Sequence, residues 1–285
     1  MTDHVQAPTG LGRRGRRLPD EELQRRMLRA AVAMVHRAGL TVSLDHISFE
    51  DVIRDADVSR SAVYRRWPYK DLFFGDLIEE LAKEGAPPGI VDAEYSLIRQ
   101  VVTGFPGKLD TPGQRHELLT ELLRRLGLLD FQALAGSAEW QTYVALQAAF
   151  NSIADGQRRE RIRGALAASE RERHARVAAA WALLADLIGY RIRTETGATF
   201  QSLVTLVDAT LRGLIIMAQP TPEIAESRIS ARPFGATTAQ EWSLAALGAA
   251  SVATAFLEPD PEVEWDDERV ARIRQVLGGH VPPSI

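Results

Sequence analysis

The stretch Ile47-Ser48-Phe49-Glu50-Asp51-Val52-Ile53-Arg54-Asp55-Ala56-Asp57-Val58-Ser59-Arg60-Ser61-Ala62-Val63-Tyr64-Arg65-Arg66-Trp67 decides the reading of this chain. Ser48 followed three residues later by Asp51 is a capping-box-like helix start, with Phe49, Val52, Ile53 and Ala56 facing inward. Ala56-Asp57-Val58-Ser59 is a tight turn, and Ser59 opens a second short helix that Pro68 stops. Helices packed across such a turn need apolar residues on both arms and in the turn, which Val52, Ile53, Val58, Val63 and Trp67 supply. Val63 and Trp67 lie four apart and share one face, leaving Arg60, Ser61, Tyr64 and Arg65 on the other. An exposed face of that composition fits a DNA major groove, where arginine pairs with guanine and hydroxyls reach phosphates. The alternative is a solvated basic face on an ordinary helical hairpin.

Reading outward, a first helix starts near Pro19-Asp20-Glu21-Glu22, where acids suit the helix dipole. Leu23, Met27, Ala30, Met34 and Ala38 recur along it, and Gly39 stops it. A fourth helix is expected from a cap at Asp71, with Leu72, Phe73, Leu77, Ile78 and Leu81 as its apolar face. Gly85-Ala86-Pro87-Pro88-Gly89 reads as a domain boundary. Beyond it the periodicity predicts helices near 91–104, 112–130, 137–154, 157–195, 199–218, 238–257 and 262–278, with no strand pattern. The expected fold is all-α: a basic arm over 1–17, a helix-turn-helix head over 18–85, and a larger helical body over 90–285.

Composition permits this. The 285 residues carry a net charge of −4, with 45% hydrophobic residues, 25% charged residues and no cysteine. Disulfides and thiolate metal sites are excluded, and the expected location is cytoplasmic. The charge is unevenly spread. Arg13, Arg14, Arg16 and Arg17 stand together without an acid, as do Arg60, Arg65, Arg66 and Lys70. A DNA-binding protein needs a positive footprint at one surface rather than a positive total. No apolar run is expected to span a bilayer, because Asp208 and Arg212 interrupt the segment from Leu203 to Met217.

From about Glu22 to Leu81 the chain resembles the tetracycline-repressor (TetR) family. It carries Val58-Ser59, Val63-Tyr64, Trp67-Pro68 and Lys70-Asp71 in the family's order. It departs from the pattern at Asp57, where glycine is common, and at Ala62, Trp67 and Tyr69. The resemblance implies that Tyr64 and Lys70 hold the phosphate backbone, with Ser59 and Ser61 adding contacts. It makes Arg60 and Arg65 the leading base readers and leaves Arg66 between phosphate and solvent. The arm with Arg13, Arg14, Arg16 and Arg17 resembles arms laid into the minor groove.

For the body the resemblance implies a ligand-binding and dimerisation domain. The expected dimer interface is Leu203, Val207, Leu211 and Leu214 with the small-residue helix bearing Gly248 and Val252. Phe105, Trp140, Tyr143, Phe150, Trp181 and Tyr190 are candidates for lining a pocket. The implied function is a ligand-responsive transcriptional repressor, a homodimer on a palindromic double-stranded DNA operator, answering a small apolar or amphipathic effector. The alternative is a similar DNA binder governed by a protein partner or by no ligand. No catalytic residue, metal or cofactor is expected. Gly10-Leu11-Gly12-Arg13-Arg14-Gly15 satisfies a dinucleotide-loop spacing but follows no strand. The six histidines lack zinc spacing, and Glu170 to Arg173 reads as a solvated charge run.

Overall fold

The computed structural model describes residues 18–38, 47–87, 91–106, 109, 111–154 and 156–278. The arm with its four arginines, the Gly10–Gly15 spacing and the Gly39 stop lie outside the described residues. The fold is all-α. The helices are α1 (Asp20–Ala38), α2 (Phe49–Asp55), α3 (Arg60–Arg66), α4 (Lys70–Glu84), α5 (Val91–Gly104), α6 (Pro112–Gly136), α7 (Ala138–Ala149), α8 (Gln157–Leu187), α9 (Phe200–Ala218), α10 (Glu223–Glu226), α11 (Leu244–Phe256) and α12 (Asp267–Gly278).

Helix starts follow local chemistry. The Thr111 and Ser137 side chains accept from the third backbone N–H of α6 and α7. Thr199 and Ser202 close a reciprocal capping box on α9. The apolar stripe of α1 sits one residue off the expected phase in its second half: Leu23 and Met27 are buried together with Leu28, Ala31, Val32 and Val35. In α4, Phe73, Leu77 and Leu81 are buried, but Leu72 is 42% exposed. The expected cap at Asp71 is corrected too, since Tyr69 holds that position and Asp71 falls in the first turn.

Two apolar cores result. One joins α5, α6, α9, α11, the end of α8 and Ile273 of α12 around Leu118, Leu122, Leu203 and Trp242. The other joins α1–α4 to Trp140, Tyr143 and Leu146 of α7 and to Ile162 and Leu166 of α8. The head therefore shares its core with body helices on the far side of the expected boundary.

The expectation of no strands is corrected. β1 (Tyr190–Ile192) pairs antiparallel with β4 (Leu257–Pro259), Arg191 opposite Glu258. β2 (Arg228–Ala231) pairs with β3 (Gln240–Ser243). The helix expected over 157–195 stops at Leu187, because Gly189 takes a left-handed φ of +70° that turns the chain into β1. By length and composition α9 is apolar enough to cross a membrane, contrary to the sequence reading. Here it packs against α6, α8 and α11.

α6 and α11 cross closely at Gly127, where an added Cβ would lie 2.9 Å from the Cα of Ala246. Gly164, inside α8, has open space around it. Gly127→Ala is therefore expected to lower stability by about 1–3 kcal/mol through overpacking, and Gly164→Ala to raise it by about 0.5–1 kcal/mol. Urea midpoints at unchanged transition slope measure both. A neutral Gly127→Ala would refute the close crossing.

Candidate nucleic-acid interface

The reading segment is built from the inside out. Phe49, Val52, Ile53, Val63 and Trp67 are all buried. Ser48 Oγ accepts from the Asp51 N–H at 3.3 Å. Asp57, at the position where the resemblance expects glycine, has φ +50°. Aspartate is among the few L-residues that tolerate this region, so the tight turn survives the replacement. Ser59 occupies the N-cap of α3, but its hydroxyl makes no cap bond and is exposed.

Trp67 fixes the rotational phase of α3. Its ring meets Phe73 edge-on at 5.2 Å, Phe73 meets Phe49 at 5.0 Å, and its indole N–H donates to Asp76 at 2.9 Å. With Val63 and Trp67 inward, Arg60, Ser61, Tyr64 and Arg65 are exposed on one side, and Lys70 is exposed at the start of α4. Tyr69 beside it is 74% exposed.

Two side chains depart from expectation. Arg66, left between phosphate and solvent, instead bonds Asp20 and reaches Gln24 at 2.5 Å, both on α1. Its guanidinium lies 5.1 Å from the Trp67 ring. It ties α3 to α1. Glu50, which sequence reasoning passed over, takes the Tyr64 O–H at 2.9 Å and the Arg60 guanidinium at 2.7 Å. This bond raises the Tyr64 phenol above its ordinary value.

The head is fastened to α8 by polar contacts. Asp76 also accepts from Arg158 at 2.8 Å, and Glu79 takes Arg161 in a two-pronged pair at 3.0 Å. Ser169 Oγ accepts the Ala86 N–H at 2.6 Å. Gly75 leaves the space that the Arg158 guanidinium fills.

Further along α8 the expected solvated charge run is corrected. Arg171 and Glu172 are exposed, but Glu170 and Arg173 turn inward. Asp208 of α9 bonds Arg173 and meets Arg212 at 2.7 Å, and Glu170 receives Arg212 at 3.0 Å and Tyr143 O–H at 2.6 Å. Burial works against the Glu170 carboxylate, yet Tyr143, Arg212 and Arg173 hold it below its usual range. Donor atoms of Glu170, His174 and Asp208 lie within 4.8 Å of one another, a spacing a metal ion accepts. The two guanidiniums already balance the two carboxylates, which makes the cluster an ion-pair lock between α8 and α9.

The six body aromatics are divided between the two cores. Phe105, Trp181 and Tyr190 belong to the first core, and Trp140, Tyr143 and Phe150 to the second. Trp140 packs against Arg173 and Arg212 at 5.2 and 5.6 Å, and Phe150 lies under Arg159 at 4.6 Å. Leu203, Val207 and Leu211 are buried in the chain's own core, Leu214 packs against it, and Gly248 abuts Thr210. The exposed stripe of α9 is instead Leu206, Ala209, Ile216 and Met217.

Comparison with protein-family models, with curated proteins and with solved structures found no match to this chain.

Asp130 on α6 faces Glu94 on α5. Burial drives Asp130 well above the usual carboxylate range, and the Glu94 charge adds to the rise. Among the described residues Asp130 Oδ1 has no hydrogen-bond partner. A carboxyl raised on folding binds a proton that the unfolded chain releases, so its contribution is full below about pH 4 and declines as pH rises toward the raised value. Asp130→Asn keeps a donor toward Glu94 and removes that titration. The variant is expected to melt above wild type at pH 8, by about 2 °C or more, with the gap closing near pH 4. An equal gap at both pH values would contradict a protonated Asp130.

Proposed function

We propose that this protein is a transcriptional repressor of the TetR type, binding a palindromic DNA operator as a homodimer and releasing it when an effector acts on the body. The observation that carries the reading is the phase of α3: Val63 and Trp67 locked inward and Arg60, Ser61, Tyr64 and Arg65 presented together outward. A helix-turn-helix reads DNA through such an exposed second helix. In this reading Arg60 and Arg65 meet base edges, while Tyr64, Lys70, Ser59 and Ser61 hold phosphates. Arg66 becomes a brace to α1 rather than a DNA contact. The arginines of residues 13–17 lie in the adjacent minor groove.

The dimer is assigned to the exposed stripe of Leu206, Ala209, Ile216 and Met217 on α9, since a patch of this kind is best covered by a second copy. Effector response is supported by the shared core. A small apolar or amphipathic ligand that favours a different placement of α8 displaces α4, and with it α3, by its differential affinity for the two states.

Selection of bound duplexes from a random pool tests the reading, and a palindromic winner is expected. On that duplex and a scrambled version, Tyr64→Phe and Lys70→Ala are expected to weaken binding about equally. Arg60→Ala and Arg65→Ala are expected to lose about 1–3 kcal/mol of discrimination at defined bases. No enrichment from the pool, or equal losses on both duplexes for both arginine variants, would overturn it.

A further inference from the structure

We propose that Glu50 is a positioning residue that sets the specificity of the reading surface, an inference that rests on the DNA-binding reading above. Its two carboxylate oxygens hold two of the proposed DNA contacts at once: Oε1 accepts the Tyr64 O–H at 2.9 Å and Oε2 meets Arg60 Nη2 at 2.7 Å. The Tyr64 ring stands edge-on to Phe49 at 5.8 Å, so its phenol is pinned from both ends. Arg60 is 72% exposed and has no other described restraint of this kind.

An unrestrained arginine on a recognition helix swings freely to the phosphates, which every duplex offers. A guanidinium drawn to one side by an ion pair with a fixed carboxylate keeps the donors of its planar fork for a base edge. Guanine then rewards the fixed pose, while a mismatched site offers it nothing. The carboxylate adds a second bias, because it stands among groups that approach phosphates and repels a purely electrostatic encounter. Glu50 thus favours matched over unmatched DNA without itself needing a base contact.

The test uses the full chain, a duplex selected by the wild type and its scrambled counterpart, with Glu50→Gln and Glu50→Ala. Both variants are expected to fold normally, since Glu50 is only half-buried, on the first turn of α2, and is not part of the apolar core. Operator affinity is expected to stay level or fall, and scrambled-duplex affinity to rise, so that their ratio drops about 5- to 20-fold. The log–log salt slope on scrambled DNA is expected to steepen by about 0.9, the mark of one more phosphate engaged. In an Arg60→Ala/Tyr64→Phe background, Glu50→Gln is expected to leave the ratio unchanged. Equal tightening on both duplexes, or the same drop in that background, would reduce Glu50 to a generic negative charge and overturn the inference. A wild type that binds no duplex would instead bring down the DNA-binding reading, and this inference with it.

Discussion

The placement of α3 depends on one buried side chain. Trp67 ends the helix, fills the head core against Phe73, and places its only polar atom on Asp76. A hydrogen bond to a charged acceptor is worth about 1.5–3 kcal/mol, more than a neutral one. Because α3 has only seven residues, it cannot hold its own rotation about its axis. Trp67 and Val63 supply that constraint, Arg66 adds a strut to α1, and the outward face follows. The proposed chemistry of the head is a consequence of which two residues point in.

Asp76 extends the same constraint into the body. It is shared with Arg158, and Glu79 and Arg161 repeat the link one turn on. α8 then carries these contacts along its length to the lock of Glu170, Arg173, Asp208 and Arg212. A buried ion cluster is weak evidence for net stability, since desolvation offsets much of the Coulomb gain. It is demanding about geometry, however, because a misplaced partner strands a charge. α8 is thereby held in register with α4 at its start and with α9 near its middle, which is the physical basis proposed for coupling body to head.

What the sequence made legible was what short-range chemistry dictates. The Ser48 cap, the turn at Asp57, the inward pair Val63 and Trp67 and the stop at Pro68 stand where the spacing put them. The long body helices were legible to within a turn at most ends. The strands were not, since β1 and β4 have three residues each and owe their pairing to Gly189 and to a partner almost seventy positions away. Long-range charge pairing was equally hidden. Glu170 and Arg173 look like any exposed charge run until Asp208 and Arg212 are brought opposite them. The spacing of Asp208 and Arg212 inside an apolar helix was the available signal, because unpaired charges are not buried there. The expectation for α9 met a related difficulty: Leu203, Val207 and Leu211 are its most apolar line, and the chain's own core claims that line first. Glu50 was overlooked because its partner groups lie ten and fourteen residues on, across the turn.

Guanine methylation interference on a duplex selected by the wild-type protein tests the central claim most directly. Methylation at N7 blocks the major-groove edge that an arginine on α3 would read. The expected result is loss of binding from methylation at a few guanines, grouped symmetrically in two half-sites about one helical turn apart, roughly 34–36 Å. Binding that is indifferent to N7 methylation at every guanine would contradict the account.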